Sequence, residues 1–304
     1  MSNPLSINGD PPRAFSEITH LKFFPTKELL LAGLSDGTMR VYNLLGYCIS
    51  VLGNEKSGEI TSFDVSSCAR RILVSYKSPR HQIEVWGKKF VKNFVGHTDT
   101  ISVVKFGNAK EAISGSMDGK LRIWSLSSSH SYIAITLLTH ICDLVISKPD
   151  SSELLLGCAD GSIRLVDFRK KCILETFNSR EEVPITSIAL SPDRQSFVSA
   201  HKGGALQLWS FSETVPQKGR IEKMGEDIQA TFFPSDPNLV LLRYKPQIIS
   251  LWNVETDQQS HLFGEESEPV NRPIAISSDG LFAFGEGDHV RFMTKEEVLS
   301  FVDE

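Results

Sequence analysis

Short apolar stretches that open on isoleucine and a small or polar residue recur along the chain at nearly constant intervals. They begin at Ile18-Thr19, Ile60-Thr61, Ile101-Ser102, Ile141-Cys142, Ile185-Thr186 and Ile228-Gln229, with a degenerate seventh start near Asn271. The starts lie 42, 41, 40, 44, 43 and 43 residues apart, a period that signals one structural unit repeated along the sequence. After each start the pattern predicts a second strand, a tight turn and a third strand. The turn is clearest at Asp36-Gly37, Asp118-Gly119 and Asp160-Gly161, where glycine accepts a positive φ and aspartate bonds local amides. In the same register a large residue ends the third strand: Tyr42, Trp86, Trp124, Val166, Trp209, Trp252 and Met293. All four tryptophans of the chain fall on this position.

The intervening segments are short, alternating and rich in β-branched or aromatic residues, which predicts strands. A fourth strand follows in most copies, as at 47–52 and 172–177. No segment keeps a helical period over ten residues, although 295–302 reads as a short helix. Four strands in each of seven units do not fit one flat sheet, because sheets twist. Small sheets stacked radially bury both faces and leave only short edges. The expected fold is all-β, a seven-bladed β-propeller of four-stranded antiparallel blades. The blades fall roughly at 15–53, 54–97, 98–140, 141–180, 181–224, 225–264 and 265–304. Residues 298–302 fit the outer strand of the seventh blade. Alternatively, residues 5–8 supply it, with 1–14 acting as a latch strand or otherwise as a tail.

The third copy reads Gly96-His97, Ser114-Gly115-Ser116, Asp118-Gly119 and Trp124. At these residues the chain resembles the WD-repeat family, and the resemblance extends over almost all of it. The family's naming Trp-Asp pair is absent, the four tryptophans being followed by Gly87, Ser125, Ser210 and Asn253. The resemblance implies that His97, Ser114, Asp118 and Trp124 form a hydrogen-bonded relay with a structural and not a catalytic role. It also implies a protein-docking face at the start of the first strands and before the turn aspartates. That register points to Glu17, Glu59, Thr61, Thr100, Met117, His140, Lys202, Asp227, Lys245 and Arg272.

Charge adds a second candidate surface. The net charge is -5, yet residues 255–304 carry 12 acids and 3 bases while residues 70–92 carry seven bases and one acid. Lys88, Lys89, Arg169, Lys170 and Lys171, in hairpins on the opposite face, form a basic flank suited to phosphate. Catalytic patterns are missing: there is no Gly-x-Ser-x-Gly, His-Glu-x-x-His or phosphate-loop motif. The five cysteines are an odd number without a Cys-x-x-Cys pair, as expected of reduced apolar side chains. No apolar run approaches a membrane span, and the first ten residues lack a basic segment and an apolar signal core.

The expectation is therefore an intracellular protein, cytoplasmic or nuclear, without cofactor, metal or small-molecule substrate. Its expected function is a non-catalytic scaffold that binds one or more proteins as a subunit of a complex. A subunit of a ribonucleoprotein or chromatin assembly, touching nucleic acid through the basic flank, is the less favoured alternative.

Overall fold

The computed structural model describes the chain except residues 1–15, 26–27, 54–57, 78–80, 88, 129, 149–150, 180–181, 215, 222–227, 245–248, 264–272 and 301–304. The repeated isoleucines open the innermost strands of six sheets: Ile18–Phe23, Ile60–Val65, Ile101–Phe106, Ile141–Ile146, Ile185–Leu190 and Ile228–Phe233. Each of these sheets has four antiparallel strands in sequence order. A seventh contains Ile274–Ile276, Phe282–Glu286 and His289–Met293. The result is a seven-bladed β-propeller, and the blades are numbered below in chain order.

Burial explains why the sheets stack radially. Among the described residues seven apolar clusters form, each between two successive blades. Phe24, Leu31, Met39 and Val41 of blade one pack on Ile60, Phe63, Val65 and Val74 of blade two. The last cluster joins Ala275 and Ala283 of blade seven to Ile18, Phe23 and Leu30 of blade one. Seven joints for seven sheets make a closed ring. At the closing joint the Ile18 amide also donates to the Gly287 carbonyl at 2.9 Å.

Close approach at the joints requires glycine on the second strand. A Cβ placed on Gly115 would stand 2.5 Å from Cγ2 of Ile141, the opening isoleucine of the next blade. A Cβ on Gly157 would likewise stand 2.8 Å from Cγ2 of Ile185 at the next joint, and one on Gly285 would stand 3.2 Å from Cβ of Ile18 at the closing joint.

Hydroxyls on the innermost strands stitch neighbouring blades. Thr61 Oγ1 donates to the Ile101 carbonyl at 2.7 Å and Thr186 Oγ1 to the Ile228 carbonyl at 2.6 Å. Ser102 Oγ donates likewise to the Ile141 carbonyl. In each case the donor belongs to one blade and the acceptor to the next.

Of the two readings of the C-terminal segment, the structure shows the short helix and not the outer strand. Residues 298–302 do not begin as an outer strand, because Lys295–Ser300 is a helix. Thr294 and Glu297 cap it reciprocally: the Thr294 amide donates to Glu297 Oε2 at 2.7 Å and the Glu297 amide to Thr294 Oγ1 at 3.3 Å. This capping box favours a helix at that point, and it turns Val298 into the apolar cluster between blades six and seven. The alternative outer strand, 5–8, lies outside the described residues. Among the described residues, blade seven thus has three strands, and no helix is long and apolar enough to cross a membrane.

Candidate functional site

Blade three carries the relay residues on four different segments. His97 precedes the first strand, Ser114 lies in the second, Asp118 in the turn and Trp124 near the end of the third. His97 Nδ1 is 2.9 Å from Asp118 Oδ2, and Nε2 is 2.7 Å from Ser114 Oγ. The Trp124 indole donates to the same serine oxygen at 2.8 Å. Asp118 also accepts from the Thr98 and Lys120 amides, both at 3.0 Å. His97, Ser114 and Trp124 are buried. The arrangement ties a loop, a turn and two strands together, and its two titratable groups face each other instead of solvent.

Blade five contains a related set that motif reading missed. The Trp209 indole donates to Ser199 Oγ at 2.9 Å, and His201 Nε2 lies 2.8 Å from that oxygen. Here the histidine comes from the end of the second strand, at the register of Ser116 in blade three. Ser199-Ala200-His201 aligned with Ser114-Gly115-Ser116 was the available signal. The other two indoles have different partners, Glu84 Oε2 for Trp86 at 2.8 Å and Asp257 Oδ1 for Trp252 at 2.9 Å.

One backbone hydrogen bond, repeated in five blades, builds the upper face. The amide before or in the turn donates to the carbonyl just ahead of the first strand: Ser35 to Glu17, Lys77 to Glu59, Met117 to Thr100, Ala159 to His140 and Lys202 to Pro184, at 2.8–3.0 Å. The structure therefore brings Glu17, Glu59, Thr100, Met117, His140 and Lys202 to one rim. Thr61 lies just inside it, with its hydroxyl bonded to the next blade. Asp227, Lys245 and Arg272 fall outside the described residues. Met117 is 42% exposed, and Leu138, in the connection leading to His140, is fully exposed. Leu138 was not among the register positions. Its neighbour Leu137 donates its amide to the Gly119 carbonyl at 2.8 Å, which anchors this connection beside the Met117 turn.

Comparison with known proteins bears on the same repeats. The family model described as "WD domain, G-beta repeat" matches residues 11–43, 88–125 and 171–210. Three segments of the chain are thus similar to WD repeats. Similar proteins include WD repeat-containing protein 3 of Mus musculus, 22% identical over 151 residues, which cover 50% of this chain and 16% of that protein. The Periodic tryptophan protein 2 homolog of Dictyostelium discoideum is 23% identical over 279 residues, 86% of this chain and 28% of that protein. Set1 complex component swd2 of Schizosaccharomyces pombe is 29% identical over 116 residues, 37% of this chain and 32% of that protein. Each match spans less than a third of the relative's length.

On this propeller the basic flank is largely engaged with its own surroundings. Arg169 Nη2 donates to Glu111 Oε2 at 3.1 Å, Lys170 Nζ lies 3.3 Å from Asp167 Oδ2, and Lys171 Nζ sits 5.1 Å from the Tyr132 ring centroid. Lys89 is exposed, and Lys88 is outside the described residues. Among the described residues no cluster of His, Cys, Asp and Glu suits a metal ion.

Charge is also carried into the axial channel. Lys22, Asp64 and Lys105 occupy the fifth position of the first strand in blades one, two and three. Burial alone would raise the Asp64 carboxyl, but Lys22 and Lys105 beside it hold it below the usual carboxylate value. Asp64 Oδ2 also accepts from the Phe106 amide at 2.7 Å, and Asp143 Oδ2 accepts from the Ile188 amide at 2.8 Å. These carboxylates join blade two to three and blade four to five. Burial pushes the Asp143 carboxyl up, against the pull of Lys105.

The two relay histidines make an acid limb of stability. Burial pulls the His97 pKa below the ordinary histidine value despite the adjacent Asp118 carboxylate, and burial lowers His201 as well. In the unfolded chain they bind protons near about pH 6.5. Stability present above that pH is lost as pH falls toward the folded-state values, because the unfolded chain takes up the protons first. The thermal unfolding midpoint should fall between about pH 7.5 and pH 5, and the H97Q/H201Q double variant should flatten that slope. A midpoint that is level or rises on acidification in the parent protein would contradict this assignment.

Proposed function

We propose that the chain is a non-catalytic docking platform, a subunit that holds one or more proteins in an intracellular complex. The observation that carries this reading is the five-fold repeat of the Ser35–Glu17 type of hydrogen bond. It fixes a ring of chemically different, exposed side chains on an unchanging frame, which is how a propeller presents loops to partners. Between blades three and four this rim offers exposed Met117, Leu138 and His140 together. Apolar side chains held on short, bonded turns cost little entropy to bury against a partner.

The relative named as a Set1 complex component supports membership in a multiprotein assembly. A nucleic-acid role for the basic flank is less favoured, because Arg169, Lys170 and Lys171 already have local partners. The test is purification of the tagged chain from its source, with co-purifying proteins identified by mass spectrometry. The M117D/L138D variant should remain folded and lose at least one partner recovered with the parent chain. Recovery of the same proteins in the same amounts would rule out this rim as the docking surface.

A further inference from the structure

Each innermost strand runs from the rim just described to the other face, so the loops after these strands gather around the lower mouth of the channel. There, blades one to five enclose a cavity of about 730 Å³, within the size range of ligand sites. Its floor is apolar and includes Val65, Phe106 and Ile146. Arg70, Arg71 and Arg194 stand on its wall, and Lys22 and Asp64 lie deeper. Asp64, the single carboxylate of the lining among the described residues, is already paired with Lys22. The three arginines are therefore uncompensated within the cavity.

The arginines are also held in place. In the loop after the first strand of blade two, Ser66 Oγ accepts from the Arg70 and Arg71 amides at 3.2 and 3.0 Å. The Ser66 amide returns a bond to the Arg71 carbonyl at 2.9 Å. This closed turn sends two exposed arginines out side by side, and neither has an ion pair among the described residues. Arg194 is fixed from the other side, its Nη1 donating to the Ser147 carbonyl at 2.7 Å.

We propose that this lower mouth is a second docking site, which takes a protein segment bearing Asp or Glu residues beside an apolar side chain. Guanidinium forks match carboxylates in a bidentate manner, and the apolar floor receives the anchoring side chain that sits between them. The same floor favours an anchoring apolar side chain over a run of stacked bases, since Phe106 is the one aromatic ring among its described lining residues. This site is independent of the upper rim, and the two fail or succeed separately.

The test is selection of a phage-displayed library of random dodecapeptides on the full chain, with counter-selection on R70E/R71E. Both arginines are exposed, so the charge-reversed protein should unfold at the parent's temperature. Peptides that depend on the arginines should be enriched in Asp and Glu around an apolar residue. Their affinity should drop at least about tenfold on R70E/R71E and stay unchanged on M117D/L138D. They should also slow alkylation of Cys68, which lies on the cavity wall, and leave exposed Cys48 unaffected. The proposal is overturned if no arginine-dependent peptide emerges, or if those that emerge lack acidic residues or leave Cys68 alkylation unchanged. It is equally overturned if a pool of single-stranded RNA dodecanucleotides binds through Arg70 and Arg71 while the peptides do not.

Discussion

Replacing Trp209 with alanine should lower the unfolding free energy by about 3–5 kcal/mol, the usual cost of removing a buried aromatic ring. The indole is fully buried in the joint between blades four and five. It stacks on Phe197 with ring centroids 5.8 Å apart and an angle of 8°, and it meets Phe177 edge-on at 5.9 Å. Its removal empties the centre of that cluster and also takes the indole donor from Ser199 Oγ. Urea denaturation followed by circular dichroism measures the loss. Trp86 occupies the same register but is only half buried, so W86A should cost clearly less. Equal losses for the two variants would mean that depth in the joint does not set the contribution.

Ser114 is the second position where one small change should have a large effect. Its hydroxyl serves both His97 and Trp124 inside the protein. In S114A both buried groups lose their partner, at about 1–3 kcal/mol for each unsatisfied group. S199A strands His201 and Trp209 in the same manner. The two serines sit in different blades and share no partner, so the S114A/S199A double variant should lose close to the sum of the single losses. A loss well under about 1 kcal/mol for S114A would show that the relay geometry contributes little to stability.

The blade register was legible because the chain repeats one burial pattern. Ile18, Ile60, Ile101, Ile141, Ile185 and Ile228 begin first strands as their spacing predicts, since each must fill the same gap against the preceding blade. The tryptophan register was equally visible as a position. Its depth was not, because Trp86 and Trp209 differ in what neighbouring blades place around them. His201 escaped motif reading because its ring reaches Ser199 from a segment unlike that of His97. Residue order does not reveal which side chain fills a given space. The helix at Lys295–Ser300 turned on one local pair, Thr294 and Glu297, whose reciprocal bonds outweigh a weak strand pattern. The lower mouth was the least legible feature. Arg194 lies more than a hundred residues after Arg70 and Arg71, and only the closure of the ring brings the three to one cavity.

The forward-pointing hydroxyls of Thr61, Ser102 and Thr186 carry a consequence for how the molecule comes apart. A linear repeat array can melt from an end, because its last unit has one neighbour and little to lose. Here the Ile18–Gly287 contact joins the last sheet to the first, and blades two, three and five each give a hydroxyl to the sheet that follows. Detaching blade three would orphan the Thr61 hydroxyl behind it and the Ile141 carbonyl ahead of it, so fraying there has no inexpensive starting point, and disassembly should involve neighbouring sheets at once.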